Sequence, residues 1–277
     1  MDLNLLNKLF QSCLREDIGR GDLTSESIFP PDQTGSADIV AREPFLVAGA
    51  ELIGGRVFKV QNNVIDVTNV VADGTRVNTG DILFSVTGPV LDLLKAERVS
   101  LNLLQHISGI ATFTARFVEK VRGYPVRVCD TRKTTPGLRM LEKFGVMVGG
   151  GSNHRFNLTD GILIKDNHIA ACGSISKAIA KVRPRIPHNF RIEVETDTLD
   201  QVRECLEVGA DIIMLDNMST DTMREAVKLI DGRAIVEASG GIVLDTIADV
   251  AATGVDIISV GALTHSAPAC DIGMDWT

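Results

Sequence analysis

Aromatic side chains are scarce: the 277 residues hold one Trp, one Tyr and ten Phe, 4% of the chain. Platforms for stacking nucleobases are therefore few. With a formal net charge of −8 and a pI near 5.2, no global positive field would draw in a polynucleotide or an anionic membrane. The chain also lacks an apolar run long enough to cross a bilayer. Its start, MDLNLLNKLFQSCLREDIG, has no basic segment leading into an unbroken apolar stretch, so it reads as an amphipathic helix and not as an export signal. The cysteines, at 13, 129, 172, 205 and 270, are odd in number, far apart and without a CxxC pair. Such spacing yields neither a disulfide framework nor a zinc site, and thiols in a reducing cytoplasm are expected.

What the chain does have is 44% hydrophobic residues against 23% charged ones, the composition of a globular protein whose length suits two modest domains. After the first helix, SADIVARE, VIDVTNVV and DILFSVTG alternate or cluster β-branched residues between the turn signals Gly54-Gly55, Asn62-Asn63, Asp73-Gly74 and Gly80-Asp81. This is an α+β segment. From Leu91 to about Val121 the apolar residues recur every three or four positions, which predicts helix. Beyond residue 125 a unit repeats: a short apolar run, then a helical stretch. The runs are VRVCD, GILIKDN, RIEVE, DIIMLD, AIVEASGG and DIISVG. Apolar strands alternating with helices predict a parallel sheet covered by helices. Functional-looking residues close the runs, and a barrel gathers strand ends at one mouth, so an α/β barrel explains the pattern better than an open doubly wound sheet. Six strands are fewer than the eight of a full barrel. An incomplete barrel is expected, with the domains at 1–108 and 109–277 and a C-terminal segment able to return to the first.

The last two runs end in Glu237-Ala238-Ser239-Gly240-Gly241 and Ser259-Val260-Gly261-Ala262. Glycines there let backbone N–H groups approach an anion, and the loops after the last strands of a barrel are its usual phosphate site. Asp130-Thr131-Arg132-Lys133-Thr134-Thr135-Pro136-Gly137 sets cations and hydroxyls directly after a strand, as a pyrophosphate or dicarboxylate requires. The basic run Arg122, Arg127, Arg132, Lys133, Arg139, Lys143 and Arg155 meets only Asp130 and Glu142, a local positive patch suited to a small anion. Lys165 ends the apolar run Gly161–Ile164 and needs either a ligand or a strand-end carboxylate as partner. Glu195 and Asp216 end neighbouring runs; they could hold Mg²⁺ through water, bind ribose hydroxyls, stabilise positive charge, or pair with the lysines. His106 and His168 are expected to be structural, and His265 to cap or pack beside the phosphate loop.

These motifs, EDIGRGDLTS at 16–25, ERVSLNLLQHISGIAT at 97–112, DTRKTTPGLR at 130–139, GGSNHRFNLTDGILIKDNHI at 150–169, EVE at 193–195, MLDNM at 214–218, EASGGI at 237–242 and SVGALTHSAPACDI at 259–272, resemble the quinolinate phosphoribosyltransferases, also called carboxylating nicotinate-nucleotide pyrophosphorylases. The resemblance implies an N-terminal α/β sandwich, an open α/β barrel, and a homodimer whose sites lie at the subunit interface. It implies Mg²⁺-dependent transfer of a phosphoribosyl group from phosphoribosyl pyrophosphate to quinolinate, with decarboxylation, in NAD synthesis. Arg132, His154, Arg155 and Lys165 match the cluster that receives the quinolinate carboxylates, and Lys133 a cation bordering both substrates. Arg98 matches an arginine donated to the neighbouring subunit's site. Glu195 and Asp216 match carboxylates facing the phosphoribosyl group and its metal. Ser239, Gly240, Gly241 and Gly261 match the 5′-phosphate loops; Thr131 and Ser259 are counted with the substrate-binding set, and Lys133, Lys165, Glu195 and Asp216 with the catalytic one.

Three other readings explain less. A paralogue of the same fold acting on another aromatic acid, of the kind associated with molybdenum transport genes, does not require the full arginine, histidine and lysine set. A phosphate-binding isomerase or lyase would share the glycine loops without two arginines and two lysines facing a dianion. A lipoyl- or biotinyl-type carrier is suggested by VADGTRVNTGDILFSV, but the stretch 61–94 holds no acceptor lysine.

Overall fold

The computed structural model describes residues 2–277. They form two compact units: the first runs through Thr114 and adds Thr135–Gly150 and Ala267–Thr277, and the second comprises Ala115–Thr134 and Gly151–Ser266. The expected boundary at 108/109 thus falls inside one continuous helix, Val90–Lys120, and the helix Arg139–Val148 joins the first unit. No local pattern announces that grouping, because it depends on contacts far apart in sequence.

The strands are β1 (Thr34–Ala41), β2 (Phe45–Leu46), β3 (Asp66–Thr68), β4 (Arg76–Val77), β5 (Ile82–Pro89) and β6 (Arg127–Cys129). They continue with β7 (Ile162–Ile164), β8 (Ile192–Thr196), β9 (Ile212–Asp216), β10 (Ile235–Ser239), β11 (Ile257–Ser259) and β12 (Ile272–Trp276).

In the first unit an antiparallel sheet runs β12-β1-β5-β3. The opening helix, Leu3–Ile18, buries Leu6, Phe10 and Leu14, spaced by four, and Asp2 caps it by accepting from the Asn4 and Leu5 backbone N–H groups. One reading fails here. Gly54-Gly55, taken as a turn signal, lies within a helical stretch that runs from Ala50–Gly55 into Arg56–Gln61. The glycines serve packing: a Cβ would stand 2.9 Å from Phe84 Cε1 at Gly54 and 2.9 Å from Val67 Cγ1 at Gly55. That closeness lets the Phe58 and Phe84 rings meet edge to face, 6.2 Å between centroids.

The long helix also meets the returning chain end. Gln105 accepts from the Cys270 backbone N–H and donates its side-chain amide to the Ile272 carbonyl. At Gly109 a Cβ would lie 2.1 Å from the Pro268 carbonyl oxygen. Gly109→Ala must push backbone against backbone, and we expect a loss of about 1–3 kcal/mol of stability. A lowered urea midpoint checks it; an unchanged midpoint would show that the C-terminal segment yields freely.

The second unit is a parallel six-stranded sheet in the order β6-β11-β10-β9-β8-β7, and its strands are the six apolar runs read from the sequence. Ile213, Leu215, Ala238 and Ile258 are fully buried, as expected of strands covered by helices such as Leu199–Glu207 and Thr220–Ile230. Residues that follow β6 and β7, the two ends of the sheet, line one cavity, so the sheet curls into a barrel. It is open: β6 and β7 are not paired, and a single bridge from Cys129 to Ser152 continues the ladder beyond β6. The segment that enters this opening carries His154 and Arg155.

Candidate active site

Registered partners in a parallel sheet share a face, so the ladder decides which side chains look into the barrel. Glu195 pairs with Met214, Met214 with Glu237, and Glu237 with Ile257. One step further toward the C-terminal ends, Asp216 pairs with Ser239. A cavity of about 460 Å³ opens at these ends. Thr131, Arg132 and Lys133 border it after β6, His154 and Arg155 from the barrel opening, and Lys165, Glu195 and Asp216 from the ends of β7, β8 and β9. Ser239, Gly240 and Gly241 border it after β10, with Ser259 at the end of β11.

Of the residues counted from sequence with the substrate-binding and catalytic sets, Arg98 and Gly261 are the two outside this lining. Gly261 supports it: a Cβ there would approach Lys133 Cδ to 3.0 Å and His265 Nε2 to 3.2 Å. Arg98 lies on the helix Val90–Lys120 with its side chain 56% exposed and 3.6 Å from Glu97 of its own chain. The basic run does not form one patch. Arg132, Lys133 and Arg155 reach the cavity, whereas Arg122 pairs with Glu119 and Lys143 is fully buried in the first unit.

The loop that carries the cations is held from several sides. The Lys133 N–H donates to Thr131 Oγ1, and the Thr264 hydroxyl donates to the Lys133 carbonyl. The Arg132 Nε is buried without a hydrogen-bond partner. Arg155 donates from Nη1 to the Gly161 carbonyl, and burial first, then the nearby Arg132, push its pKa below the ordinary arginine value, with Glu193 opposing. Two guanidinium groups repelling each other in a partly buried site are relieved by an anion.

Lys165 has a strand-end carboxylate as partner: its Nζ lies 2.7 Å from Glu195 Oε2, and both residues line the cavity. His168 is structural, accepting the Lys165 backbone N–H at the start of the helix Asp166–Cys172. His106 is structural too, 2.9 Å from the buried Glu142. His265 binds the Ser266 hydroxyl.

The sequence reading passed over Asn217, Glu193 and Glu237. Asn217, at φ 54°, donates its side-chain amide to Asp216 and its backbone N–H to the Ser239 carbonyl, tying two strand ends together. Glu193 and Glu237 are 5% and 2% exposed. His154 Nε2 lies 3.3 Å from Glu193 Oε2 and 3.7 Å from Glu237 Oε1. Burial works against a charged His154, while Glu193 and Glu237 work for it and bring its pKa above the ordinary histidine value. The backbone acts the other way. The Arg155 N–H donates to Nδ1, which carries no proton in this geometry, so the ring proton sits on Nε2 facing the carboxylates. The ligand atoms of these three residues lie within 4.8 Å of one another, close enough to surround a cation. A neutral histidine that binds metal through Nε2 donates from Nδ1, however, and here Nδ1 accepts. We assign no metal to this cluster. The signal that could have found it is the i, i+2 spacing of Glu193 and Glu195, which puts both carboxylates on the inner face of one strand.

A barrel mouth that sets two arginines and two lysines, with a glycine-rich loop, against acidic strand ends defines an enzyme for a small, multiply anionic substrate. The comparisons specify which. The family model "Quinolinate phosphoribosyl transferase, N-terminal domain" matches residues 22–108 and its C-terminal counterpart residues 110–275. The probable nicotinate-nucleotide pyrophosphorylase (carboxylating) of Bacillus subtilis (strain 168) is 48% identical over 272 residues, 98% of this chain and 93% of that protein. The nicotinate-nucleotide pyrophosphorylase (carboxylating) of Mycobacterium leprae (strain TN) is 44% identical over 95% of this chain and 94% of its own. The crystal structure of NadC from Streptococcus pyogenes superposes with a TM-score of 0.94, at 41% identity, covering 100% of this chain and 99% of that one. The chain belongs to the quinolinate phosphoribosyl transferase family.

Proposed function

We propose that this chain transfers the phosphoribosyl group of phosphoribosyl pyrophosphate to the nitrogen of quinolinate and releases pyrophosphate and carbon dioxide, giving nicotinate mononucleotide for NAD synthesis. The observation that carries the choice of acceptor is the Arg132–Arg155 pair, two mutually repelling guanidinium groups that both line a cavity of a size for small ligands. Two carboxylates on adjacent ring carbons can neutralise two such forks. Lys165, held by Glu195, adds a third cation to the same cavity.

Gly240 and Gly241, at φ 91° and 62°, turn the chain after β10 so that backbone N–H groups can meet the 5′-phosphate. Lys133 is placed to stabilise the leaving pyrophosphate. As the bond to ribose C1 breaks, positive charge grows on the sugar, and Glu195 and Asp216 stand on adjacent strands to oppose it. Their hard oxygen donors fit Mg²⁺, which prefers one or two carboxylates completed by substrate phosphates. When bound there, magnesium would neutralise charge on the departing pyrophosphate. N-ribosylation makes the ring a pyridinium able to hold the electrons left by the departing 2-carboxylate. The protein's part is then to orient the ring and exclude water.

We also propose a homodimer in which Arg98 serves the partner's site, supported by its exposure and its place outside the cavity lining, and a cytoplasmic setting, supported by five cysteines that are not in disulfides. Purified protein given quinolinate, phosphoribosyl pyrophosphate and Mg²⁺ should release carbon dioxide and pyrophosphate in equal amounts, and omission of any one component should stop both. Release of pyrophosphate with no need for quinolinate would overturn the assignment.

The phosphate loop gives a further expectation. A Cβ at Gly240 would lie 2.3 Å from Asn217 Oδ1 in a backbone conformation that suits glycine. Gly240→Ala should raise the KM for phosphoribosyl pyrophosphate by about tenfold or more, the scale of one or two lost charge-assisted hydrogen bonds, and move the KM for quinolinate less. Equal changes in both constants would place this loop elsewhere.

A further inference from the structure

The ring carbon that loses its carboxylate must regain a proton, and no residue assigned above supplies it. When the bond from C2 to the carboxylate breaks, carbon dioxide leaves and the electron pair stays on C2 beside the positively charged nitrogen. A C–H bond must form on that pair as the carboxylate leaves. Glu193 and Glu237 lie on the inner face of the barrel, and each has one carboxylate oxygen, Oε1, buried without a hydrogen-bond partner. For Glu237, burial favours the protonated form. Glu237 also borders the mouth of the site. A second cavity, of about 510 Å³, lies toward the opposite ends of the strands, among Arg127, Asn189, Arg191 and Glu193. His154 and Glu237 line both cavities, standing between the site and a second approach for solvent.

We propose that Glu237 is the acid that protonates C2 in the decarboxylation half of the reaction proposed above, and that solvent entering by the second cavity restores its proton. The step balances: the Glu237 carboxylic acid gives its proton to the C2 electron pair, carbon dioxide departs, and the carboxylate left behind takes a proton from water. Glu193, which faces the same His154 Nε2, sets a second carboxylate beside Glu237 and so favours the protonated form of Glu237. Burial pushes the Glu237 pKa up and Glu193 adds to it, while His154, the Ser259 hydroxyl and Arg127 pull it down, leaving it at about 7. The acid is then about half protonated at neutral pH, a value well matched to general-acid work. Its protonated form is lost as the pH rises past 7, so decarboxylation should slow on the alkaline side. Transfer of the phosphoribosyl group needs no proton from Glu237 and should not follow that profile.

Rapid-quench single turnovers of the whole enzyme, timing pyrophosphate and carbon dioxide separately, test this. In Glu237→Gln, which keeps shape but cannot give a proton, carbon dioxide release should fall by about 100-fold or more, the usual worth of a general acid. Pyrophosphate release should persist, and the carboxylated mononucleotide should accumulate. Carbon dioxide release at the wild-type rate, or equal loss of both products, would overturn the proposal. If the variant does not fold, the wild-type enzyme decides: its carbon dioxide step should drop about tenfold per pH unit above 7 while the pyrophosphate step stays level. A flat carbon dioxide profile from about pH 6 to 9 would overturn the role of Glu237. Wild-type enzyme that releases no pyrophosphate from quinolinate and phosphoribosyl pyrophosphate would instead overturn the activity on which this role rests.

Discussion

Quinolinate is expected to exceed nicotinate in kcat/KM by about 10⁴-fold or more, the ratio reached when a substrate lacks a group that buried polar partners were built to meet. The two acids differ by one carboxylate. In this site the missing carboxylate would leave a guanidinium beside another guanidinium, with the Arg132 Nε already without a partner and the Arg155 pKa already depressed by burial and by Arg132. Competition between the acids for limiting enzyme reads the ratio directly, and comparable values would remove the pair from acid recognition. Arg155→Lys should reproduce part of the loss while keeping the charge. A lysine cannot give a carboxylate a bidentate fork while also holding the Gly161 carbonyl, as Nη1 does. The quinolinate KM should rise more than that of phosphoribosyl pyrophosphate.

Two variants that are each nearly inactive should regain activity when refolded together. Lys165→Ala removes the partner of Glu195 from every site, and Arg98→Ala removes the cation proposed to cross to the neighbour. In a mixed dimer one site keeps Lys165 from its own chain and Arg98 from the other, and the second site has neither. Random re-association makes about half of the dimers mixed, so about a quarter of the wild-type sites should return. Mass measurement confirms mixing. Mixed dimers without activity would place Arg98 in its own subunit's work.

The barrel was legible in the sequence because a strand covered by helices on one face and by other strand residues on the other must be apolar nearly throughout, and its end is where polarity resumes. Lys165, Glu195, Asp216 and Ser239 stand at those ends and were found there. Glu193 and Glu237 were not, because each sits within its run, where a charged residue reads as a flaw in a strand and not as a feature of the barrel interior. Asn217 follows its strand by one residue, and its role lies in a left-handed backbone that asparagine tolerates and in a hydrogen bond to a carbonyl on the next strand. Neither leaves a pattern. The Gly54-Gly55 pair misled for the opposite reason: the same residue that allows a turn also allows Phe84 and Val67 to press against a helix, and composition does not separate the two uses.

An open barrel has two strand edges that a closed one lacks, and exposed edges invite pairing with other chains. Here β6 and β7 are each only three residues long. The outer side of β6 is also engaged, since the Val128 carbonyl accepts from the Ser152 N–H and the Asp130 N–H donates to the Ser152 carbonyl. The segment that delivers His154 and Arg155 to the site therefore also blunts the edge beside the opening. The chain keeps a gap in its barrel for chemistry without offering a template for aggregation.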